Sequence, residues 1–553
     1  MNGAQHIIKT LETAGISTLF GYPGGAIMPV YDALVDSKLN HVLCRHEQGA
    51  ALAADGYARS TGKLGVCLAT SGPGATNLLT GIANAHLDSI PMLAITGQVA
   101  SPFIGTDAFQ EVDILGMALP VVKHSFQVRA ASELPWMLLE AMQIAMSGRP
   151  GPVLIDVPKD IQLAEIPSVV GFPAADYSLP TAGAGTIEEA NLLIEQAKCP
   201  LLYSGGGIML GGAVTALRKY AQRSGIPSVS TLKGIGNHLP EDPYYLGMLG
   251  MHGTKAANLA VQQCDLLICI GARFDDRVTG KLDSFAANAK IIHLDIDAAE
   301  FGKLKIPDVI IHGELNYSLN QLTSPAEIGN WQQHCVTLKS QHAFTYPKKP
   351  PSIYAPQLIN RLSQLATEET IISCDVGQHQ MWVAQHYQFT HPRHHLSSSG
   401  LGTMGYGLPA AIGAQFANPD AQVINISGDG SFMMNIQELA TIIRYQLPIK
   451  IIIIDNQRLG MVRQWQTLFF TERYSEVDLS DNPDFVKVAQ AFGLTAQCIN
   501  QAEDVEPALQ TLLKATTPFL LHVCINPKDN VWPLVPPGVP NDKMLECTKN
   551  ELL

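Results

Sequence analysis

The sequence predicts an α/β protein of three parallel-sheet domains, and three observations carry that prediction. The chain has 553 residues, too many for one hydrophobic core, and its length divides into about three domains. Short β-branched runs alternate with segments of helical period along its whole length, the pattern of parallel sheets with crossover helices. Two stretches, IPSVVGFPAADYSLPTAGAG at 166–185 and TYPKKPPSIYAP at 345–356, hold too much Pro, Ala and Gly for helix or central strand and read as linkers. They leave blocks at 1–165, 186–344 and 357–525, followed by a tail at 526–553 that contains NVWPLVPPGVP.

Composition narrows the function classes. Hydrophobic residues make up 46% and charged residues 15%, the balance of a globular protein with large buried sheets. A formal charge of −13 is mild for this length, and no Lys/Arg patch is clustered, which argues against a nucleic-acid partner. No apolar run approaches the ~18 residues of a membrane span. The opening NGAQHIIKTLETAGI has helical period at once, with no basic n-region or apolar h-region, so secretion is not expected. The ten cysteines, at 44, 67, 199, 264, 269, 335, 374, 498, 524 and 547, show neither C-x-x-C nor paired His spacing. They read as reduced thiols filling the core of a cytoplasmic protein.

In the first block GVCLAT, PMLAIT and PVLIDV read as strands, and in the third QVINIS, IKIIIID and FLLHVCI do. The segment 63–98 runs strand, SGPG, helix, Pro, strand, GQ; the segment 421–457 runs strand, SGDG, helix, Pro, strand, NQ. That shared layout predicts two copies of one fold with diverged roles, Pro73 standing where Asp429 stands. In the middle block PLLYSGGG (200–207) and CDLLICIGARF (264–274) read as strands running into glycine, and KIIHLDID (290–297) as a strand ending in acids, as in a dinucleotide fold. The fingerprint is loose, since SGGGIMLGG is not G-x-G-x-x-G, and Asp295 and Asp297 read equally as helix caps or ribose ligands.

The third block carries the sharpest chemistry. Asn456 lies 27 positions past Asp429, at the end of IIIIDN, the strand that follows SGDG. In a right-handed βαβ unit the two strands lie side by side, so both side chains reach the crevice at the carboxyl edge of the sheet. Both offer hard oxygens, which suit Mg²⁺, an ion that completes its octahedron with water and phosphate. Gly428 and Gly430 let the backbone approach a phosphate, and a helix expected to begin near Ser431 offers free N–H groups. Singly, Asp429 reads as a helix cap and Asn456 as a turn residue; together, at this spacing, they point to a metal-bridged diphosphate site.

Gly428-Asp429-Gly430 followed by Asn456 after 25 intervening residues resembles the cofactor motif of thiamine-diphosphate-dependent enzymes. The resemblance implies pyrimidine-binding, central FAD-binding and diphosphate-binding domains, with Mg²⁺ held by the side chains of Asp429 and Asn456 and the carbonyl of Arg458. It also implies a glutamate against the aminopyrimidine, and CRHEQGAALAADGYAR (44–59) supplies Glu47. Such a carboxylate favours the imino tautomer whose nitrogen deprotonates the thiazolium C2; apart from the family, Glu47 reads as a first-turn acid complementing a helix dipole.

FGYPGGAIMPVYDAL (20–34), GTDAFQE (105–111), GMLGMHGTKAAN (247–258), GARFDDRVTGK (271–281), SSGLGTMGYGLPAA (398–411) and NQRLGMVRQWQ (456–466) look like acetohydroxyacid synthase catalytic subunits. The likeness spans nearly the full chain and is nearest the bacterial isozyme II type. It implies decarboxylation of pyruvate and ligation of the two-carbon unit to a second pyruvate or to 2-oxobutyrate, in branched-chain amino acid synthesis. In the third block it implies cofactor contacts from Val376, Gln378, His379, Gly402, Met404, Gly428, Gly430, Ser431, Gly460 and Met461, Met404 lying beneath the bent cofactor. Pro73 and Asn77 contribute from the first block, where Tyr22, Gly25, Gln110 and Lys159 line the facing half. On residue type alone Met404 reads as core, Lys159 as a solvated loop charge and Gln110 as surface loop.

The same resemblance implies an FAD that is neither reduced nor oxidised in turnover, contacted by Arg149, Gly206, Thr231, Met251, His252, Gly271, Arg273, Asp295 and Ile296. Glu314, in HGEL, stands where the family more often has Asp, which leaves its flavin contact open. Arg277 would bind the acceptor carboxylate through its planar guanidinium, against a surface ion pair with Asp275 or Asp276. Trp465 would wall the acceptor pocket, against a place in plain core. The implied assembly is a homodimer or tetramer in which Glu47 of one chain faces Asp429 of another, with a small regulatory subunit. A pyruvate oxidase sharing the three-domain plan is the alternative; a non-catalytic binding protein is disfavoured because Glu47, Asp429 and Asn456 are all intact.

Overall fold

The computed structural model describes residues 1–166, 177–348 and 350–547, so most of the first expected linker lies outside the described residues. Three six-stranded sheets, parallel throughout, form the molecule. The first sheet runs, edge to edge, Asn40–Leu43, Thr18–Gly21, Gly65–Ala69, Met92–Gln98, Pro152–Pro158 and His124–Gln127. The third runs His395–Ser397, Ile371–Cys374, Val423–Gly428, Lys450–Asp455, Phe519–Cys524 and Thr495–Ile499. Numbered within each block, both follow the order 2-1-3-4-6-5, which bears out the predicted duplication. Pro73 and Asp429 each open the helix that follows the third strand of their block.

The middle sheet is wound differently. Its strands, Val309–His312, Lys290–Asp295, Leu266–Ile270, Pro200–Ser204, Ser228–Ser230 and Tyr245–Met248, stand in the block order 6-5-4-1-2-3. Reversed, that is 3-2-1-4-5-6, the doubly wound order that binds dinucleotides at the point between strands 1 and 4. The helix Ala184–Gln196 leads into this sheet, and the helix Ala355–Leu365 leads into the third.

The strands form because they are buried on both faces: Lys450–Asp455, KIIIID, is buried at every position, as central strands between helical layers must be. The first and third domains share one core, in which the helix Glu47–Thr61 packs on the helix Gly407–Ala417. A Cβ on Gly56 would stand 2.2 Å from the carbonyl oxygen of Ala410, so the two backbones meet at glycine. Arg59 is buried there, with Asp55 one turn away and Asp88 at 2.7 Å. Asp88 also accepts the backbone N–H groups of Ser399 and Gly400 and lies 3.7 Å from Lys233, so the three domains meet at this acid. The tail packs on the middle domain, Val535 donating to the carbonyl of Met251 at 2.7 Å. No helix among the described residues is long and apolar enough to cross a membrane.

Candidate active site

Gly428 pairs with Ile454 in register, so Asp429 and Asn456 emerge side by side from the carboxyl edge of the third sheet. The helix begins at Asp429 rather than near Ser431, and it is only five residues long, Asp429–Met433. Gly428 takes the N-cap position, and Ser431 Oγ accepts its N–H at 3.1 Å, while His379 Nε2 lies 3.2 Å from the same N–H. Asn456 Nδ2 donates to Gln378 Oε1 at 2.9 Å, which leaves the amide oxygen turned to the backbone N–H of Arg458 at 3.0 Å. Gly460 is required beside this pair, because a Cβ there would stand 2.1 Å from Gln378 Oε1 and 2.4 Å from Asn456 Nδ2.

Burial and the neighbouring Asp455 carboxylate push the Asp429 carboxyl up to about 8. The Asp429 carboxylate and the Asn456 amide oxygen, side by side at this edge, are hard-oxygen donors of the kind a hard dication takes. The residues present therefore fit Mg²⁺. Arg458, whose carbonyl completes the implied set, is tied through its guanidinium to Asp478.

A cavity of about 1020 Å³ opens from this edge and continues to the middle domain. Val376, Gln378, His379, Gly402, Met404, Ser431 and Met461 line its third-domain end, with Asp429, Asn456, Arg458, Gly428, Gly430 and Gly460. Met404 sits against the glycine pair, its Cε 3.9 Å from the place of a Cβ on Gly430. Trp465 lines the same cavity from the helix Gly460–Phe469, edge-on to Phe469 at 5.5 Å. Arg277 lines it too, with its side chain 60% exposed and its Nε 3.7 Å from Asp276 Oδ2.

At the middle-domain end the glycines after strands 1 and 4 meet. Gly207 donates to the carbonyl of Gly271 at 2.9 Å, and a Cβ on Gly207 would stand 2.7 Å from Gly271 Cα. This crevice lies at the switch point of the sheet, so the residues fit a dinucleotide such as FAD. Gly206, Thr231, Met251, His252, Arg273, Asp295 and Ile296 line it. Asp297 instead caps the turn Ala298–Glu300 and binds Arg149 at 3.0 Å, whereas Asp295 faces the cavity with its carboxyl pushed up to about 6 by burial. The Arg149 guanidinium, also 2.7 Å from Glu300, is committed to these acids. Glu314 lines the cavity as well, but its carboxylate caps its own helix, accepting from Asn316 and Tyr317.

Arg149 lines this cavity from the first domain, but the other first-domain candidates stand apart from it. Glu47 opens its helix half-buried, and Asn77 Nδ2 donates to Glu47 Oε2 at 3.0 Å. Gln110, at φ 61, packs beside Gly72, next to Pro73. Tyr22 is 40% exposed and Gly25 is exposed, and Lys159 opens a short helix at the end of the strand Pro152–Pro158. Pro73, Asn77, Tyr22, Gly25, Glu47 and Gln110 thus share the carboxyl edge of the first sheet, and none of them lines the large cavity.

Sequence reasoning missed three residues that hold these. Asp375 is buried and accepts the N–H groups of Val376, Gly405 and Gly407, fixing the loop that carries Met404; an acid at the end of a strand, before Gly377, was its signal. Glu438 is buried and accepts the N–H of Arg45 at 2.9 Å, just ahead of Glu47. Asn482 donates to Asp429 Oδ2 at 3.2 Å from a loop without sequence signal.

The thiamine pyrophosphate enzyme N-terminal TPP binding domain matches residues 1–117, the central domain 187–322 and the C-terminal TPP binding domain 375–523. The chain is 58% identical to the acetolactate synthase isozyme 2 large subunit of Escherichia coli K12, over 99% of this chain and 100% of that one. It is 48% identical to the acetolactate synthase large subunit of Pyropia yezoensis, over 99% and 96% of the two chains. The probable acetolactate synthase large subunit of Methanocaldococcus jannaschii is likewise 48% identical, over 97% and 94%. With all three domains matched and relatives of this identity aligned end to end, the chain belongs to the acetolactate synthase large-subunit family of thiamine pyrophosphate enzymes.

Proposed function

We propose that the chain is the catalytic subunit of an acetohydroxyacid synthase, forming 2-acetolactate from pyruvate and 2-aceto-2-hydroxybutyrate from pyruvate and 2-oxobutyrate. The observation that carries this reading is one cavity holding the Asp429–Asn456 pair, Arg277 and Trp465 together. Asp429, Asn456 and the carbonyl of Arg458 would hold Mg²⁺, and the glycines at 428, 430 and 460 leave room for a diphosphate. Thiamine diphosphate, when bound, supplies the electron sink for loss of CO₂ from pyruvate. FAD at the glycine crevice would have a structural part.

The chain's own groups then orient and select. Asn77 occupies Oε2 of Glu47, leaving Oε1 free to hold or pass a proton at the pyrimidine ring. Arg277 is exposed and loosely paired, free to take an acceptor carboxylate with two parallel N–H bonds. The indole of Trp465 gives the acceptor an apolar wall, and Met404 fills the floor beside Gly430. Because Glu47 lies outside the cavity of its own chain, a second chain brings it to the site, as a homodimer or tetramer. A small regulatory subunit is the further partner that the name "large subunit" borne by the relatives suggests, and reduced thiols suit a cytoplasmic enzyme.

The test is a product assay with thiamine diphosphate, Mg²⁺ and FAD. Acetolactate from pyruvate, and the six-carbon product when 2-oxobutyrate is added, support the reading. Prompt anaerobic bleaching of the flavin by pyruvate, without carboligation, would make the chain an oxidase instead.

A further inference from the structure

Four of the cysteines, taken from the sequence as core filling, are not fully buried, and two of these stand together. Cys498 is exposed on Thr495–Ile499, the edge strand of the third sheet, and Cys524 is half-buried at the end of the neighbouring strand Phe519–Cys524. Cys498 pairs in register with His522. Two residues on, Cys524 returns to the same face of the sheet.

The three ligand atoms converge. Cys498 Sγ lies 3.8 Å from Cys524 Sγ, Cys524 Sγ lies 3.8 Å from His522 Nε2, and all three atoms are within 4.8 Å of one another. A tetrahedral metal with sulfur at ~2.3 Å has sulfur–sulfur edges of about 3.8 Å. Beside the trio Asp455 pairs in register with Cys524, and its Oδ2 is hydrogen-bonded to His522 Nε2 at 2.7 Å.

We propose that Cys498, Cys524 and His522 form a binding site for a zinc-class dication, with ligands other than the Asp429 and Asn456 oxygens. Thiolate and imidazole select such ions over Mg²⁺. Burial and the adjacent Cys498 push the Cys524 thiol up to about 12, so it is protonated when the site is empty. On binding, two S–H bonds break, two sulfur–metal bonds form and two protons pass to solvent, with no change of oxidation state. The proton shared by His522 Nε2 and Asp455 Oδ2 also passes to solvent, which frees the Nε2 lone pair for the metal.

The experiment is a Co²⁺ titration of the full-length holoenzyme, with excess Mg²⁺ keeping the oxygen site filled and a phosphine reductant keeping the thiols reduced. One equivalent per chain should produce a thiolate-to-cobalt charge-transfer band that Zn²⁺ abolishes, and Cys498→Ser and Cys524→Ser should each remove it. Neither thiol lines the catalytic cavity, so both serine variants should keep wild-type acetolactate formation. Independently of any variant, Zn²⁺ should protect Cys498 and Cys524 of the wild-type chain from alkylation while other accessible thiols still react. Absence of a thiolate band, a band that persists in both serine variants, or unprotected alkylation of the two thiols overturns the site.

Discussion

Glu47 is held by neighbours from distant parts of the chain: Asn77 donates to its carboxylate, and Glu438 anchors the backbone N–H of Arg45 ahead of it. Glu47→Gln keeps the size and the amide contact, so folding and Mg²⁺ binding should survive while turnover falls roughly 10²-fold or more. Hydrogen–deuterium exchange at C2 of the bound cofactor measures it; a wild-type rate would remove Glu47 from proton transfer. Trp465 faces the cavity from the helix after the Asn456 strand. One methylene against an apolar wall is worth about 1–3 kcal/mol, or ~10–200-fold in selectivity. Trp465→Leu should therefore still make acetolactate but lose most of the preference for 2-oxobutyrate, read as the product ratio when both acceptors compete. An unchanged ratio in an active variant places the discrimination elsewhere. Glu47 and Trp465 could be proposed from sequence because each sits in a motif of fixed local spacing. Glu438 was not, because its partner Arg45 is 393 residues away and nothing local marks the contact.

At the scale of elements, the strand–SGDG–helix–strand layout was legible, since alternation of apolar runs and glycine needs no tertiary information. The start of the short helix was displaced because Gly428, rather than a polar side chain, takes the N-cap, and Asp429 is drawn into the first turn. The middle sheet shows the reverse case: its glycine fingerprint is loose, yet its strand order is that of a dinucleotide fold. Strand order is set by how crossovers pack, which no local motif records. The crossing of the helices Glu47–Thr61 and Gly407–Ala417 was equally hidden, and it yields a prediction. A Cβ on Gly413 would lie 1.8 Å from the carbonyl oxygen of Ala53, so the helices must part to admit one. Overpacking of this kind costs ~1–3 kcal/mol, of which the better helix propensity of Ala returns at most about 1. Gly413→Ala should lower the melting temperature, measured by calorimetry on the holoenzyme; an equal or higher value would show that the crossing is looser than these distances.

For the whole molecule, the decisive fact is where the two halves of the proposed catalytic set lie. Asp429, Asn456, Arg277 and Trp465 share one cavity, while Glu47, Asn77 and Gln110 sit on another sheet edge outside it. Around that edge Phe109 is 88%, Phe103 57% and Tyr22 40% exposed, apolar surface of the kind a partner chain covers. The buried Arg59, Asp55 and Asp88 cluster, joined by Lys233, fixes the three domains of one chain to each other, so hinging the first sheet edge onto the cavity would break it. Under the proposed function, a twofold pairing would satisfy both constraints by presenting the Glu47 edge of each chain to the Asp429 edge of the other. Two single variants then become diagnostic: Asp429→Ala should abolish Mg²⁺-dependent cofactor binding while FAD stays bound, and Glu47→Gln should bind cofactor but turn over slowly. In a mixed dimer one site carries both defects and the other carries neither. Co-expressed in equal amounts, the two variants should regain roughly a quarter of wild-type activity, since about half the dimers are mixed and each has one intact site of two. A mixture no more active than its components would place Glu47 and Asp429 in a site built by a single chain.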